Sequence, residues 1–312
     1  MVEKSVNHPR PVLDFFAGTA GGVAGVVVGH PFDTVKVRFQ NPAFSGQYTS
    51  TFAALRLIAK KEKFRGLYRG VVSPIIGVAP VNGLIFASFK YTMSLIAPPL
   101  TEGQTRTPNL TSYLVAGCVS GIVASTINAP TELVKIKQQS FTTSHPPSTV
   151  SIARDIFKRS GIKGLYRGFQ SCWLRDLGYG PYFWTYEVIL RAVSPTKLHT
   201  DHDLMTQTEE ELEEDTRGWW AVPLAGGLAG VVSWTTTFPL DVVKTRLQAA
   251  SSSKRLPNGE LNPYRTTLST IKHSYAREGW KVFYRGLGPT LIRAVPTNIV
   301  TFSIFEACFK MF

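Results

Sequence analysis

One ten-residue pattern occurs three times in this chain of 312 residues. It reads PFDTVKVRFQ from Pro31, PTELVKIKQQ from Pro130 and PLDVVKTRLQ from Pro239, with starts 99 and 109 residues apart. Each copy has an acid at +2, Lys at +5, a base at +7 and Gln at +9. Matching these positions with the proline three times over does not arise by chance, so the chain is three copies of one unit. Thirteen residues before each proline stands a glycine, Gly18, Gly117 or Gly226, followed four residues on by Gly22, Gly121 or Gly230. In an apolar helix that spacing admits a second helix at close range. A second motif follows each first one, LYRG ending at Gly70 and at Gly168, and FYRG ending at Gly286.

Each unit reads as a long helix, a loop with a short amphipathic helix, and a second long helix. The six apolar segments cover roughly 13–40, 71–97, 112–139, 169–192, 219–248 and 287–312. Each supplies the ~20 residues a bilayer span requires. Glycines, prolines and scattered polar residues interrupt all six, as expected of helices with one face on a wet cavity. The net charge is +13, but residues 201–217 hold 8 of the 21 acids and one base. That stretch reads as a solvated acidic insert. The remaining strongly basic chain suits anionic phosphate, in lipid or nucleic acid, and the six apolar segments favour lipid. Cys118, Cys172 and Cys308 are odd in number and far apart, so neither a disulfide framework nor a CxxC metal pair is expected. The first residues have neither a secretory apolar core nor an Arg/Ser-rich transit pattern, so targeting information is expected within the chain.

The pattern Px[DE]xx[KR]x[KR]xQ, three times and each time followed by aromatic-[KR]-Gly, resembles the mitochondrial carrier family over about 13–312. The resemblance implies an all-α membrane protein of three tandem repeats, two transmembrane helices each, in a six-helix pseudo-threefold bundle. It implies a multi-pass protein of the inner mitochondrial membrane with both termini on the cytosolic side. Its transport unit would be a monomer moving a small solute by alternating access. Structural cardiolipin would be its lipid partner, with no other cofactor, no metal and no nucleic acid. The expected layout is an N-terminal segment 1–12, repeats at 13–100 and 101–200, the acidic insert 201–217 and a third repeat at 218–312.

Acid, Lys and Gln in each first motif lie at i, i+3 and i+7 and share one helix face. A charge facing lipid costs at least about 2.5 kcal/mol, so these groups must face one another or water. The family pattern pairs Asp33 with Lys135, Glu132 with Lys244 and Asp241 with Lys36, a ring closing the matrix side of a central cavity. Gln40, Gln139 and Gln248 resemble braces across those pairs. Pro31, Pro130 and Pro239 lack an N–H and are expected to kink their helices toward the axis. His30 reads as a packed polar residue. The cytosolic counterpart, aromatic-acid-x-x-base, is incomplete in FASFK, YEVIL and FEACF, leaving at most Lys90 to pair with Glu187 or Glu306. In the second motif the resemblance assigns cardiolipin to Gly70, Gly168 and Gly286, with Arg69, Arg167 and Arg285 beside them. A glycine opening a helix leaves backbone N–H groups for a phosphate.

Seven residues after those glycines stand Gly77, Arg175 and Arg293. Symmetry puts the three at one level of the cavity, where the family's substrate contacts fall. Symmetry demands no charge there, so the two arginines carry information. Asp176 answers to Val78 and Ala294 and is equally particular. Two cations and one acid suggest a solute with a carboxylate and a positive group, the carboxylate held bidentately by Arg. Gly77 leaves room for a longer substituent, and Asn82 and Asn298, both at +12, could add polar contacts. The pattern resembles the carnitine/acylcarnitine and basic amino-acid branch. GHPFDTVKVRFQ and SPIIGVAP look similar to the former, VNGLIF to the latter. A carrier of nucleotides or other carboxylates is the alternative, although Asp176 would repel phosphate. The six histidines are dispersed except for His199 and His202 in a solvated acidic loop, and no P-loop or nucleophile motif is present. A transporter that is not an enzyme is the reading.

Overall fold

The computed structural model of the chain describes residues 11–97, 108–142, 146–193, 221–251, 253 and 259–311. The acidic insert 201–217, with His199 and His202, lies outside them. The described residues form helices and no β-strand. In chain order these are α1 (Pro11–Gln40), α2 (Thr51–Leu67), α3 (Val72–Ile96), α4 (Leu110–Gln139), α5 (Thr149–Leu165), α6 (Phe169–Asp176), α7 (Tyr179–Val193), α8 (Ala221–Ala249), α9 (Thr267–Glu278) and α10 (Leu287–Met311). Pro31, Pro130 and Pro239 lie inside α1, α4 and α8.

The long helices close a ring. α1 packs on α3 and α10, α3 on α4, α4 on α6 and α7, and both of these on α8, which touches α10. The short helices α2, α5 and α9 pack on the motif helices α1, α4 and α8 of their own repeats. Each starts with the same device. Ser50, Ser148 and Thr266 accept the backbone N–H of Ala53, Ser151 and Ser269, satisfying a donor that a helix start otherwise leaves free. α3 and α4 are long and apolar enough to cross a membrane by length and composition.

Two features differ from the sequence reading. Segment 169–192 is not one helix but α6 and α7, broken between Asp176 and Tyr179. Pro181 has no N–H to give the Leu177 carbonyl four residues back. Gly180 N–H takes that carbonyl at 2.9 Å and Cys118 Sγ approaches it at 3.6 Å, while Ser233 Oγ donates to the Gly178 carbonyl at 2.8 Å. The glycine spacing is also used unequally. In α4 a Cβ on Gly117 would stand 2.6 Å from the Tyr179 carbonyl, and one on Gly121 would strike the Asp176 carbonyl, so this pair admits the α6–α7 break. In α1 Gly22 faces Val78, but Gly18 meets nothing among the described residues, and the close approach to α10 is made by Gly21, Gly25 and Gly29. In α8 Gly230 meets nothing and Gly226 only the Tyr182 hydroxyl, at 3.9 Å.

Candidate functional site

The motif faces of α1, α4 and α8 converge on one charged ring. Lys135 Nζ lies 2.5 Å from Asp33 Oδ2, Lys36 Nζ lies 2.8 Å from Asp241 Oδ2, and Lys244 pairs with Glu132. Each acid therefore meets the lysine of a neighbouring repeat. Lys244 and Asp241 are buried, so each is met by its ring partner, Glu132 or Lys36, and not by water. Lys36 also sits 4.5 Å from the centre of the Trp234 ring, a cation–π contact.

The two arginines that the sequence left without partners are paired in the structure. Arg293 Nη1 lies 2.6 Å from Asp33 Oδ1, and Arg175 Nη2 lies 2.8 and 3.0 Å from the two oxygens of Glu132. Asp33 is thus shared by Lys135 and Arg293, and Glu132 by Lys244 and Arg175. Arg175 Nε also lies 2.9 Å from Asp176 Oδ1, and Asn128 Nδ2 donates to Asp176 Oδ2 at 3.2 Å. The cluster brings together five cations, Lys36, Lys135, Lys244, Arg175 and Arg293, and four carboxylates, Asp33, Glu132, Asp176 and Asp241. It has room in its charge balance for one further carboxylate.

A cavity of about 360 Å³ opens above the ring, and Gly77, Asn82, Glu132, Lys135, Arg293 and Thr297 are among its lining residues. Gly77 and Arg293 thus stand together on it. Asp176 does not line this cavity. It is buried at the C-terminal end of α6, held by Arg175, Asn128 and Cys172. The acid on the wall is Glu132, whose side chain keeps 29% of its surface exposed. Sequence reasoning had Glu132 only as a ring member, and missed Asn128 and Thr131 on the wall. The triplet Gly29, Asn128 and Thr237, two residues before each proline, varies as Gly77, Arg175 and Arg293 do, and would have flagged Asn128.

Of the three glutamines only Gln40 reaches a ring acid, donating to Asp241 Oδ2 at 2.9 Å. Gln139 donates to Thr34 Oγ1 at 3.1 Å, and Gln248 lies 3.5 Å from the Arg167 carbonyl. Both brace a motif helix against its surroundings instead of crossing an ion pair. His30 is fully buried, with Nε2 2.8 Å from the Arg69 carbonyl, a contact that needs the proton on that nitrogen. At the other end of the bundle Glu187 is taken by Arg191 within its own helix, at 2.7 Å, and Arg191 also donates to the Pro108 carbonyl. Arg191 is thus a cation on Glu187 that the motif reading did not include, and Lys90 is exposed. The side chain of Glu306 lies outside the described residues.

Gly70, Gly168 and Gly286 have φ of +81°, +79° and +93°, the left-handed region that favours glycine. Each also backs onto the next motif helix, at Lys135, at Leu247 and Gln248, and at Lys36. Turn geometry and close packing thus require glycine at all three. The neighbouring arginines each make contacts within the protein. Arg69 pairs with Glu62 at 2.7 Å and Arg285 with Glu278 at 2.7 Å, while Arg167 donates to the carbonyls of Ala250 and Tyr264.

The profile of the family described as mitochondrial carrier protein matches residues 7–99, 106–197 and 215–312. A mitochondrial basic amino acids transporter of Bos taurus is 38% identical over 297 residues, covering 93% of this chain and 89% of the relative. A mitochondrial arginine transporter of Arabidopsis thaliana is 34% identical over 305 residues, covering 95% and 90%. A mitochondrial carnitine carrier of Saccharomyces cerevisiae is 32% identical over 314 residues, covering 96% and 88%.

Proposed function

This chain belongs to the mitochondrial carrier family, and from that premise we propose that it exchanges a carboxylated, cationic or zwitterionic metabolite across the inner mitochondrial membrane. Basic amino acids such as ornithine, lysine and arginine, or carnitine and its acyl esters, are the solutes this reading favours. The six long helical segments would span the bilayer as a pseudo-threefold bundle. The single observation that carries the solute class is the cavity wall, where Arg293 and Glu132 face one space. The solute carboxylate would take the Arg293 fork, and its cationic group would lie toward Glu132.

Alternating access follows from who holds those groups at rest. Asp33 occupies Arg293, and Lys244 and Arg175 occupy Glu132. A solute that engages Arg293 and Glu132 competes with the ring for its own charges. It therefore weakens the matrix-side ring while supplying replacement contacts. A ligand shifts such an equilibrium only by its differential affinity for the two states, and this competition is the differential term. In the structure the matrix ring is closed, an arrangement that suits entry from the cytosol. Arg175 would add positive potential, with Asp176 positioning its side chain. Cardiolipin phosphate would meet the backbone where α3, α6 and α10 start, at Gly70, Gly168 and Gly286, with Arg69, Arg167 and Arg285 beside them.

Uptake into liposomes preloaded with ornithine, lysine, carnitine, ATP or malate tests the reading. Exchange with the amine- or ammonium-bearing carboxylates, and little with malate or ATP, is the expected result. Preference for ATP or malate would overturn it.

A further inference from the structure

The three repeats are not equal at the foot of the bundle. In the first, Glu62 bridges two cations. Arg38 grips it through both nitrogens, with Nη2 2.8 Å from Oε2, and Arg69 Nη1 lies 2.7 Å away. In the third, Glu278 bridges Arg246 at 2.6 Å and Arg285 at 2.7 Å. In each repeat the cations come from the motif base at +7 and from the arginine of the second motif. The acid thereby ties a long helix to the loop that starts the next one.

The second repeat has the same two cations and no acid. Lys137 Nζ donates to the carbonyls of Ala249, at 3.1 Å, and Ala250, at 2.5 Å. Arg167 Nη1 donates to the same Ala250 carbonyl at 2.9 Å. Arg38 and Arg69 likewise meet at one carbonyl, that of Phe141, but with Glu62 between them. Among the described residues Lys137 and Arg167 have no carboxylate partner. Two like charges converging on one oxygen leave an unmet demand for negative charge.

The residue in the acid's place is Ser160. α2 and α5 are both 17 residues long and align position by position, Glu62 on Ser160. The packing agrees. A Cβ on Gly66 would stand 2.5 Å from Glu62 Cβ, and one on Gly164 would stand 2.5 Å from Ser160 Cβ. Behind them lie Ile58 Cγ2 at 3.4 Å and Ile156 Cγ2 at 3.2 Å. Ser160 is exposed, follows Lys158 and Arg159, and precedes Gly161, whose φ of +60° kinks the helix there.

We propose that Ser160 is a phosphorylation site, and that its phosphate completes in the second repeat the acid bridge that Glu62 and Glu278 make in the other two. A phosphate oxygen on serine lies three bonds from Cβ, as a glutamate oxygen does, so it reaches the same place. It brings about −1.5 to −2 charges and three acceptor oxygens for Lys137 and Arg167. In the reaction Ser160 Oγ attacks the γ-phosphorus of a nucleoside triphosphate held by a protein kinase that reads basic residues before its target. The Oγ–P bond forms, the β–γ bridging P–O bond breaks, the nucleoside diphosphate leaves, and the hydroxyl proton passes to the kinase base. Modification would add a third tie at the end of the bundle where the charged ring opens, and so slow its opening.

Thermal unfolding of the purified full chain tests the bridge. Phosphoserine installed at 160, and Ser160→Glu, are compared with the unmodified protein and Ser160→Ala. The expected outcome is a Tm rise of roughly 2–4 °C for the charged forms, none for Ser160→Ala, and loss of the rise in a Lys137→Ala, Arg167→Ala background. An unchanged Tm with phosphoserine, or a rise that survives removal of both cations, overturns the bridge. Incubation with mitochondrial matrix extract and ATP, followed by peptide mapping, should place phosphate on Ser160. A fully covered map with Ser160 unmodified overturns the modification. Inorganic phosphate raising the Tm of Ser160→Ala as much as phosphoserine does would overturn it too, because the cations would then hold a free anion. No arm reads transport, so failure here is distinguishable from failure of the transport reading.

Discussion

Exchanging the charges of the Asp33–Lys135 pair tests the ring against a neighbour that sequence did not reveal. Lys135→Glu removes a partner that lies 2.5 Å from Asp33 Oδ2 and sets two carboxylates against each other. Breaking a buried pair in this way costs about 3–5 kcal/mol. A further Asp33→Lys change rebuilds the pair with reversed sign. If Lys135 were the whole environment of Asp33, most of the loss would return. Arg293 also binds Asp33, at 2.6 Å, so the reversed pair sets the introduced ammonium against the Arg293 guanidinium. At a separation of ~5 Å and an effective dielectric of ~20 this repulsion is about 3 kcal/mol, comparable to the recovered pair. The double variant should therefore remain close to Lys135→Glu in stability. Adding Arg293→Gln should then raise Tm by several degrees, at roughly 2 °C per kcal/mol for a chain of this size. Thermal unfolding of the detergent-solubilised proteins reads this order. Full recovery in the double variant with Arg293 in place would refute the shared carboxylate.

Lys63 has φ +58° and ψ −178°, where its counterparts are Gly161 and Gly279. Lys63→Gly should relieve about 1–3 kcal/mol of backbone strain and raise Tm, despite the looser unfolded chain; a lower Tm would refute the strain. Burial pushes the Glu278 carboxyl up, but the hydrogen bond and charge of Arg246 and the charge of Arg285 outweigh it and hold it below its ordinary value. Its bridge is therefore fully present above the ordinary carboxylate range and lost as pH falls through the depressed folded value. The Tm advantage of the wild type over Glu278→Gln should shrink on acidification, and a pH-independent difference in Tm scans would count against it. Because Asp176 is buried off the cavity, Asp176→Asn should slow liposome uptake of amine-bearing and amine-lacking carboxylates by similar factors. A selective loss of the amine-bearing solute would place Asp176 in the binding site.

Much of this protein is written in local pattern. Helices, caps and glycine turns depend on residues within a dozen positions of one another, and the threefold unit on one short pattern recurring at matched offsets, so the repeats and the second-motif glycines could be read directly. The three acid–lysine pairs also follow from the motif, because repeated charge in an apolar helix must be met by another repeat. Which further groups share those acids depends on contacts between segments hundreds of residues apart, as with Asp33 and Arg293. No spacing encodes that distance. The break at Leu177–Gly178 is a local consequence of Pro181, whereas the burial of Asp176 against α4, with Glu132 as the acid on the wall, is a tertiary outcome. Symmetry in sequence located the level of the site. Packing between unequal repeats decided which charges face the cavity, because one buried carboxylate can satisfy only the cations the fold brings within a few ångströms of it.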